Sequence, residues 1–150
     1  MAETDEIHRF EINAAWSGSG AGAGEADVPE GDSISFAGAI ALGGSGGKAN
    51  PEELLLTSLG ACFLNTWAIF LEKLGIAYAE PTVRVAGELG KDPAGGYRMQ
   101  KAVIHARVPA SLLVDQRAQV EKTLALAEKY CIISKAVRAA MPFSVEIEGV

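Results

Sequence analysis

Asn50-Pro-Glu-Glu-Leu-Leu-Leu-Thr-Ser-Leu-Gly-Ala-Cys-Phe-Leu64 reads as the opening of a long apolar helix, and the rest of the chain is arranged around it. Asn50 is a preferred N-cap, Pro51 suits the first helical position, and Glu53 completes a capping-box-like arrangement three residues on. Glu52 and Glu53 place negative charge at the positive end of the helix dipole. The pattern predicts a helix to about Lys73, stopped by Gly75. Residues 54–71 carry no charge, close to the lower limit for a membrane span. Thr57, Ser58, Gly60, Asn65 and Thr66 interrupt that run, and acidic Glu52, Glu53 and Glu72 flank it, with no basic flank to set an orientation. A helix apolar all round fits the buried centre of a soluble protein or of its dimer, and no membrane association is expected.

Outward from the helix, residues 8–17 alternate as a strand, and residues 25–41 supply one or two more. Two glycine-rich stretches, residues 18–24 and 42–48, read as flexible connections. The second lacks the Gly and Ser/Thr of a phosphate loop, because Leu42 and Ala49 occupy those places. Residues 82–89 and 98–108 read as two strands joined by the turn-rich Lys91-Asp-Pro-Ala-Gly-Gly96. Ala102, Ile104, Ala106 and Val108 share one face of the second strand, so one side of that sheet is buried. Helices over residues 111–130 and 132–140 and a strand over residues 143–147 complete the chain. Blocks of strands and helices in this order give an α+β class, read as a single domain over residues 1–150.

The 150 residues carry a formal net charge of −6 and no basic cluster, which argues against nucleic-acid binding. The acidic opening residues do not have the basic-then-apolar form of a secretory leader, so a cytoplasmic location is expected. His8 and His105 stand on separate strands with no metal-ligand spacing, and no metal site is expected. Two cysteines in a reducing compartment are more often catalytic or inert than stapled. Cys62 lies inside the long helix. Cys131 ends one helical pattern and opens the next, where a helix N-terminus lowers a thiol's pKa. A pair of this kind suits redox chemistry, one thiolate attacking an oxidant and the second thiol resolving it.

The segments Asn50-Pro-Glu-Glu-Leu-Leu…Gly-Ala-Cys62 and Ala127-Glu-Lys-Tyr-Cys131-Ile-Ile-Ser134 resemble the two signature segments of the OsmC/Ohr superfamily, the osmotically inducible and organic hydroperoxide resistance proteins. The order of elements matches along nearly the whole chain. The resemblance implies an OsmC-like fold, with antiparallel sheets wrapped around a long buried central helix in an intertwined homodimer. It implies a thiol-dependent peroxidase reducing organic hydroperoxides and hydrogen peroxide, regenerated by an external thiol reductant, with no cofactor. Cys62 would be the peroxidatic thiol, Cys131 the resolving thiol, and Glu52 the carboxylate that steadies a catalytic arginine. Family peroxidases carry that arginine after the first strands, whereas residues 16–25 here contain none; Ile132 also stands where many members have proline. The alternative is a non-catalytic dimer of the same fold, a small-ligand binder or redox sensor.

Glu52 and Cys62 are ten residues apart, about 15 Å along a helix axis and roughly 80° around it. They cannot touch within one straight helix. If they cooperate, Glu52 comes from a second subunit with its helix antiparallel, as an isologous two-fold dimer provides.

Overall fold

The computed structural model describes residues 5–78 and 80–150. Its contacts divide the chain into two compact units, Met1–Leu54 and Leu55–Val150. The first holds an antiparallel sheet of β1 (Asn13–Ser17), β2 (Ala23–Asp27) and β3 (Ile34–Ala37). At its end begins α1 (Pro51–Lys73), most of whose length belongs to the second unit. There follow β4 (Thr82–Lys91), β5 (Tyr97–Val108), α2 (Ala110–Tyr130), α3 (Ile132–Ala140) and β6 (Phe143–Gly149).

In the first unit, β1 starts at Asn13, five residues later than the alternation predicts. Asn13 pairs with Asp27, and there the partner strand runs out. Val28-Pro29-Glu30-Gly31 turns away, closed by Gly31 N–H donating to the Val28 carbonyl at 3.1 Å, so residues 8–12 have no ladder to join. The glycine-rich stretches are ordered turns rather than loose tethers. The first closes the β1–β2 hairpin, with Gly22 N–H on the Ser19 carbonyl at 2.8 Å and the Trp16 indole N–H on the same carbonyl at 2.8 Å. The second folds back on β3: Gly46 N–H donates to Gly38 and Ala37 N–H to Ala49. Gly43, Gly46 and Gly47 there take φ of 85°, 65° and 75°, a region that side-chain-bearing residues rarely occupy.

The start of α1 is built as its sequence dictates. Asn50 Oδ1 accepts from Glu53 N–H at 2.8 Å, and the Glu53 carboxylate accepts from the Asn50 side-chain amide. In the second unit, α1 buries one face, Leu59, Gly60, Phe63, Trp67 and Leu71, against the sheet. A Cβ on Gly60 would sit 3.1 Å from Val85 Cγ2, so the missing side chain lets helix and strand approach. Trp67 is fully buried and donates its indole N–H to Thr123 Oγ1 at 2.9 Å, tying α1 to α2; Thr123 in turn donates to the Val120 carbonyl at 2.7 Å. The strand face Ala102, Ile104, Ala106 and Val108 fills the same core, as the alternation predicts.

One expectation needs correction. β4 and β5 form an antiparallel hairpin, but β6 pairs with β5 in parallel, Ala102 opposite Phe143 through Val108 opposite Gly149. The cause is the connection: α2 and α3 together carry the chain back along β5, and a strand laid down after such a crossover runs parallel. The single chain covers one face of α1. Leu55, Ser58, Ala61, Asn65, Ala68 and Ile69 are exposed in the single chain. α2 also has a non-helical residue at Gln116 (φ −139°, ψ 34°), so its first turn and a half stand apart from the rest.

Replacing Thr123 by Val would leave the Trp67 N–H in a dry core without an acceptor. A loss of about 1–3 kcal/mol is expected in urea unfolding, with Thr123→Ser, which keeps the hydroxyl, much closer to the parent.

Candidate functional site

Cys131 occupies the single residue between α2 and α3, in extended conformation (φ −66°, ψ 115°). Its N–H closes α2 on the Ala127 carbonyl at 2.8 Å, and its sulfur accepts the Ser134 N–H at 3.4 Å as the N-cap of α3. The residue is fully buried and belongs to the core cluster with Phe63 and Trp67. Cys62, half-buried on α1, packs against that cluster from the side, and both cysteines are free thiols. The fold thus brings the two sulfurs together from positions sixty-nine residues apart. Cys62 is among the neighbouring groups that raise the Cys131 pKa.

The electrostatics run against the sequence expectation. A helix start should lower the Cys131 pKa, yet burial pushes it above the ordinary thiol value. The Ser134 side chain and amide pull it back down, and the neighbouring Cys62 pushes it further up. Burial wins because a thiolate in this core gives up water on all sides and receives only the Ser134 hydroxyl and one loose amide bond in return. No basic side chain is among the groups acting on Cys131. Of the cations available to replace the arginine absent from residues 16–25, Lys48 borders a groove with Trp16 and Glu25, and Arg9 one with Phe10 and Pro29, both within the first unit. Arg98 lies at the start of β5 opposite Gly90.

Glu52 stands half-buried on the first turn of α1, in the first unit. Its Oε2 is shielded from solvent and has no hydrogen-bond partner among the described residues. The two histidines lie elsewhere: His8 meets Glu6 at 3.1 Å, and His105 faces Glu146 at 3.6 Å on the outer side of the β4–β5–β6 sheet. The sequence offers Glu52, Glu53, Ser134, Lys135 and the arginines as groups to assist a thiolate, and Ser134 is the one found on Cys131. Its spacing three residues after a helix-capping position was the available signal, because the amide at that place is the one a cap accepts.

The family model described as OsmC-like protein matches residues 44–146, which takes in α1, both cysteines and most of β6. The chain belongs to the OsmC-like protein family. An organic hydroperoxide resistance protein-like 2 of Staphylococcus epidermidis is 29% identical over 108 residues, covering 71% of this chain and 72% of that protein. The solved OsmC-like protein of Mycoplasma pneumoniae superposes with a TM-score of 0.80 at 15% identity, covering 97% of this chain and 99% of the other. The organic hydroperoxide resistance protein OsmC of Legionella pneumophila gives 0.73 at 21%, covering 95% and 99%. At these identities the two structures establish the fold. α1 is long and apolar enough to span a membrane, with a mean hydropathy of 1.8, but its inner face is the core face of an OsmC-like domain.

Because its folded pKa is raised, the Cys131 thiol contributes stability that is present in full below the ordinary thiol range and is lost as pH rises through the raised value. Urea midpoints of the reduced protein should therefore fall above about pH 8.5 more steeply than those of Cys131→Ala, with parallel curves near neutrality. Identical slopes for the two proteins would contradict a buried, protonated Cys131.

Proposed function

We propose that this OsmC-like chain is a thiol-dependent peroxidase for organic hydroperoxides. The observation that carries the reading is the meeting of Cys62 and Cys131 at the edge of one core, the first half-buried and the second wholly enclosed. The division suits the two roles. The outer sulfur is the one a peroxide can reach. Its thiolate attacks one oxygen of ROOH, the O–O bond breaks, and RO⁻ leaves and takes a proton as the alcohol, leaving Cys62 as sulfenic acid. Cys131, held protonated by burial, waits beside it. Its sulfur bonds to Cys62 while its proton goes to the departing hydroxide as water, and an external dithiol then reduces the disulfide.

The active form is proposed to be a homodimer in the cytoplasm. Ser58, Ala61, Asn65 and Ala68 lie exposed along α1 at alternating steps of three and four, the spacing of a helix–helix seam, and all are small enough for close approach. The first unit leaves Phe10 88%, Ile40 74% and Ile7 66% exposed, and buries only Gly24 and Ala37 among its described residues. Apolar surface on that scale calls for a partner. An antiparallel second α1 would also bring Glu52 of one copy towards Cys62 of the other, giving the unpartnered Oε2 a role at the thiol site. The second reading, a redox sensor without turnover, is favoured by one observation: no cation acts on Cys131 to lower its pKa.

Consumption of cumene hydroperoxide with dithiothreitol as reductant separates the two. The peroxidase reading expects Cys62→Ser to fall to the uncatalysed rate and Cys131→Ser to lose sustained turnover while still consuming about one equivalent per thiol. Equal consumption by the parent and Cys62→Ser would end that reading.

A further inference from the structure

Among the described residues, the core of the second unit encloses two polar side chains, Thr123 and Ser134, and it treats them differently. The Thr123 hydroxyl is satisfied twice, accepting from Trp67 and donating to Val120. The Ser134 hydroxyl, equally inaccessible to water, makes no hydrogen bond of full geometry with any described residue. A hydroxyl kept dry and unpartnered is costly, and a small apolar residue would fill its place without that cost. Its position supplies the reason. Ser134 is the third residue of α3, its N–H already donates to Cys131 Sγ at 3.4 Å, and its side chain is among the groups that favour the Cys131 thiolate. The neutral thiol is a weak acceptor that leaves this hydroxyl nearly idle. A thiolate is a strong one.

We propose that Ser134 is the residue that receives Cys131 as a thiolate when the Cys62–Cys131 disulfide is opened, and that its hydroxyl sets the rate of that opening. This rests on the peroxidase reading for its place in the cycle. In the step concerned, the thiolate of a small dithiol attacks Cys62 Sγ. A mixed disulfide to Cys62 forms, the Cys62–Cys131 bond breaks, and its electron pair goes to Cys131 Sγ. The Ser134 N–H and O–H then donate to that sulfur until it takes a proton. The second thiol of the reductant displaces the mixed disulfide and frees Cys62. A leaving thiol departs faster the lower its pKa, and among the described residues Ser134 is the group that favours the Cys131 thiolate. From α1 the titratable group facing it is Cys62, which opposes the thiolate; no charged side chain of α2 or α3 acts on it.

A test independent of peroxidase activity uses the full chain carrying Cys62→Ser, where Cys131 is the sole thiol. Its alkylation by iodoacetamide between about pH 8 and 9.5 follows its thiolate fraction. Ser134→Ala should slow that alkylation about tenfold at every pH, the size of a one-unit rise in pKa, and Ser134→Thr should restore it. With both cysteines present, dithiothreitol should open the peroxide-oxidised Ser134→Ala protein about tenfold more slowly than the parent, while oxidation of Cys62 proceeds at the parent's rate. Equal alkylation rates with and without Ser134→Ala, in proteins of the same circular dichroism, would overturn the proposal. A slowed alkylation in a chain whose parent consumes no peroxide would uphold Ser134 as the thiolate donor and remove the peroxidase reading alone.

Discussion

Cys131 answers to four constraints at once. It ends α2 by donating its N–H to Ala127, begins α3 by accepting the Ser134 amide on its sulfur, fills a place in the core, and meets the second thiol. A side chain cannot cap a helix and pack in a core unless the helix break itself lies inside the molecule, and here it does. The extended backbone at Cys131 turns the chain so that α3 leads into β6 alongside β5, which makes the last strand parallel. The junction that orients the thiol is the one that closes the sheet.

The same enclosure decides the chemistry available to each sulfur. Burial and the nearness of Cys62 raise the Cys131 pKa, and a single amide with one loosely placed hydroxyl offsets only part of that. Cys62 sits on the flank of α1 between the buried row of Phe63 and Trp67 and the exposed row of Ala61 and Asn65. It therefore borders both the core and whatever covers the outer face of the helix. An asymmetric pair results, one sulfur reachable and one withheld, which is the arrangement a two-step thiol cycle uses.

Much of this was legible from local chemistry. Asn50, Pro51 and Glu53 fixed the start of α1 because capping is decided by neighbouring residues, and the alternation from Ala102 to Val108 marked the buried face of β5. Cys131 between two helical patterns was visible for the same reason. What depends on depth or on distant segments was not. The late start of β1 follows from Pro29 ending its partner strand. The parallel direction of β6 follows from the two-helix return, and an alternating strand reads alike in either direction. The exposed seam of α1 looked buried because apolar composition does not say which chain supplies the cover. The pKa of Cys131 came out with the opposite sign because a helix start is written in the sequence while the loss of water around it is not. Ser134 stood among several candidates to assist the thiolate, and what singles it out, a buried hydroxyl with nothing else to bond, is visible only in the fold.

For the cycle to run, Cys62 and Cys131 must form a bond with each other when an oxidant arrives. Treating the reduced protein with one equivalent of cumene hydroperoxide, alkylating it under denaturing conditions and mapping its peptides by mass spectrometry reads that bond directly. A peptide pair joined through Cys62 and Cys131 within one chain is the predicted product. Two separately alkylated cysteines, or Cys62 carried on to sulfinic acid with Cys131 untouched, would contradict it.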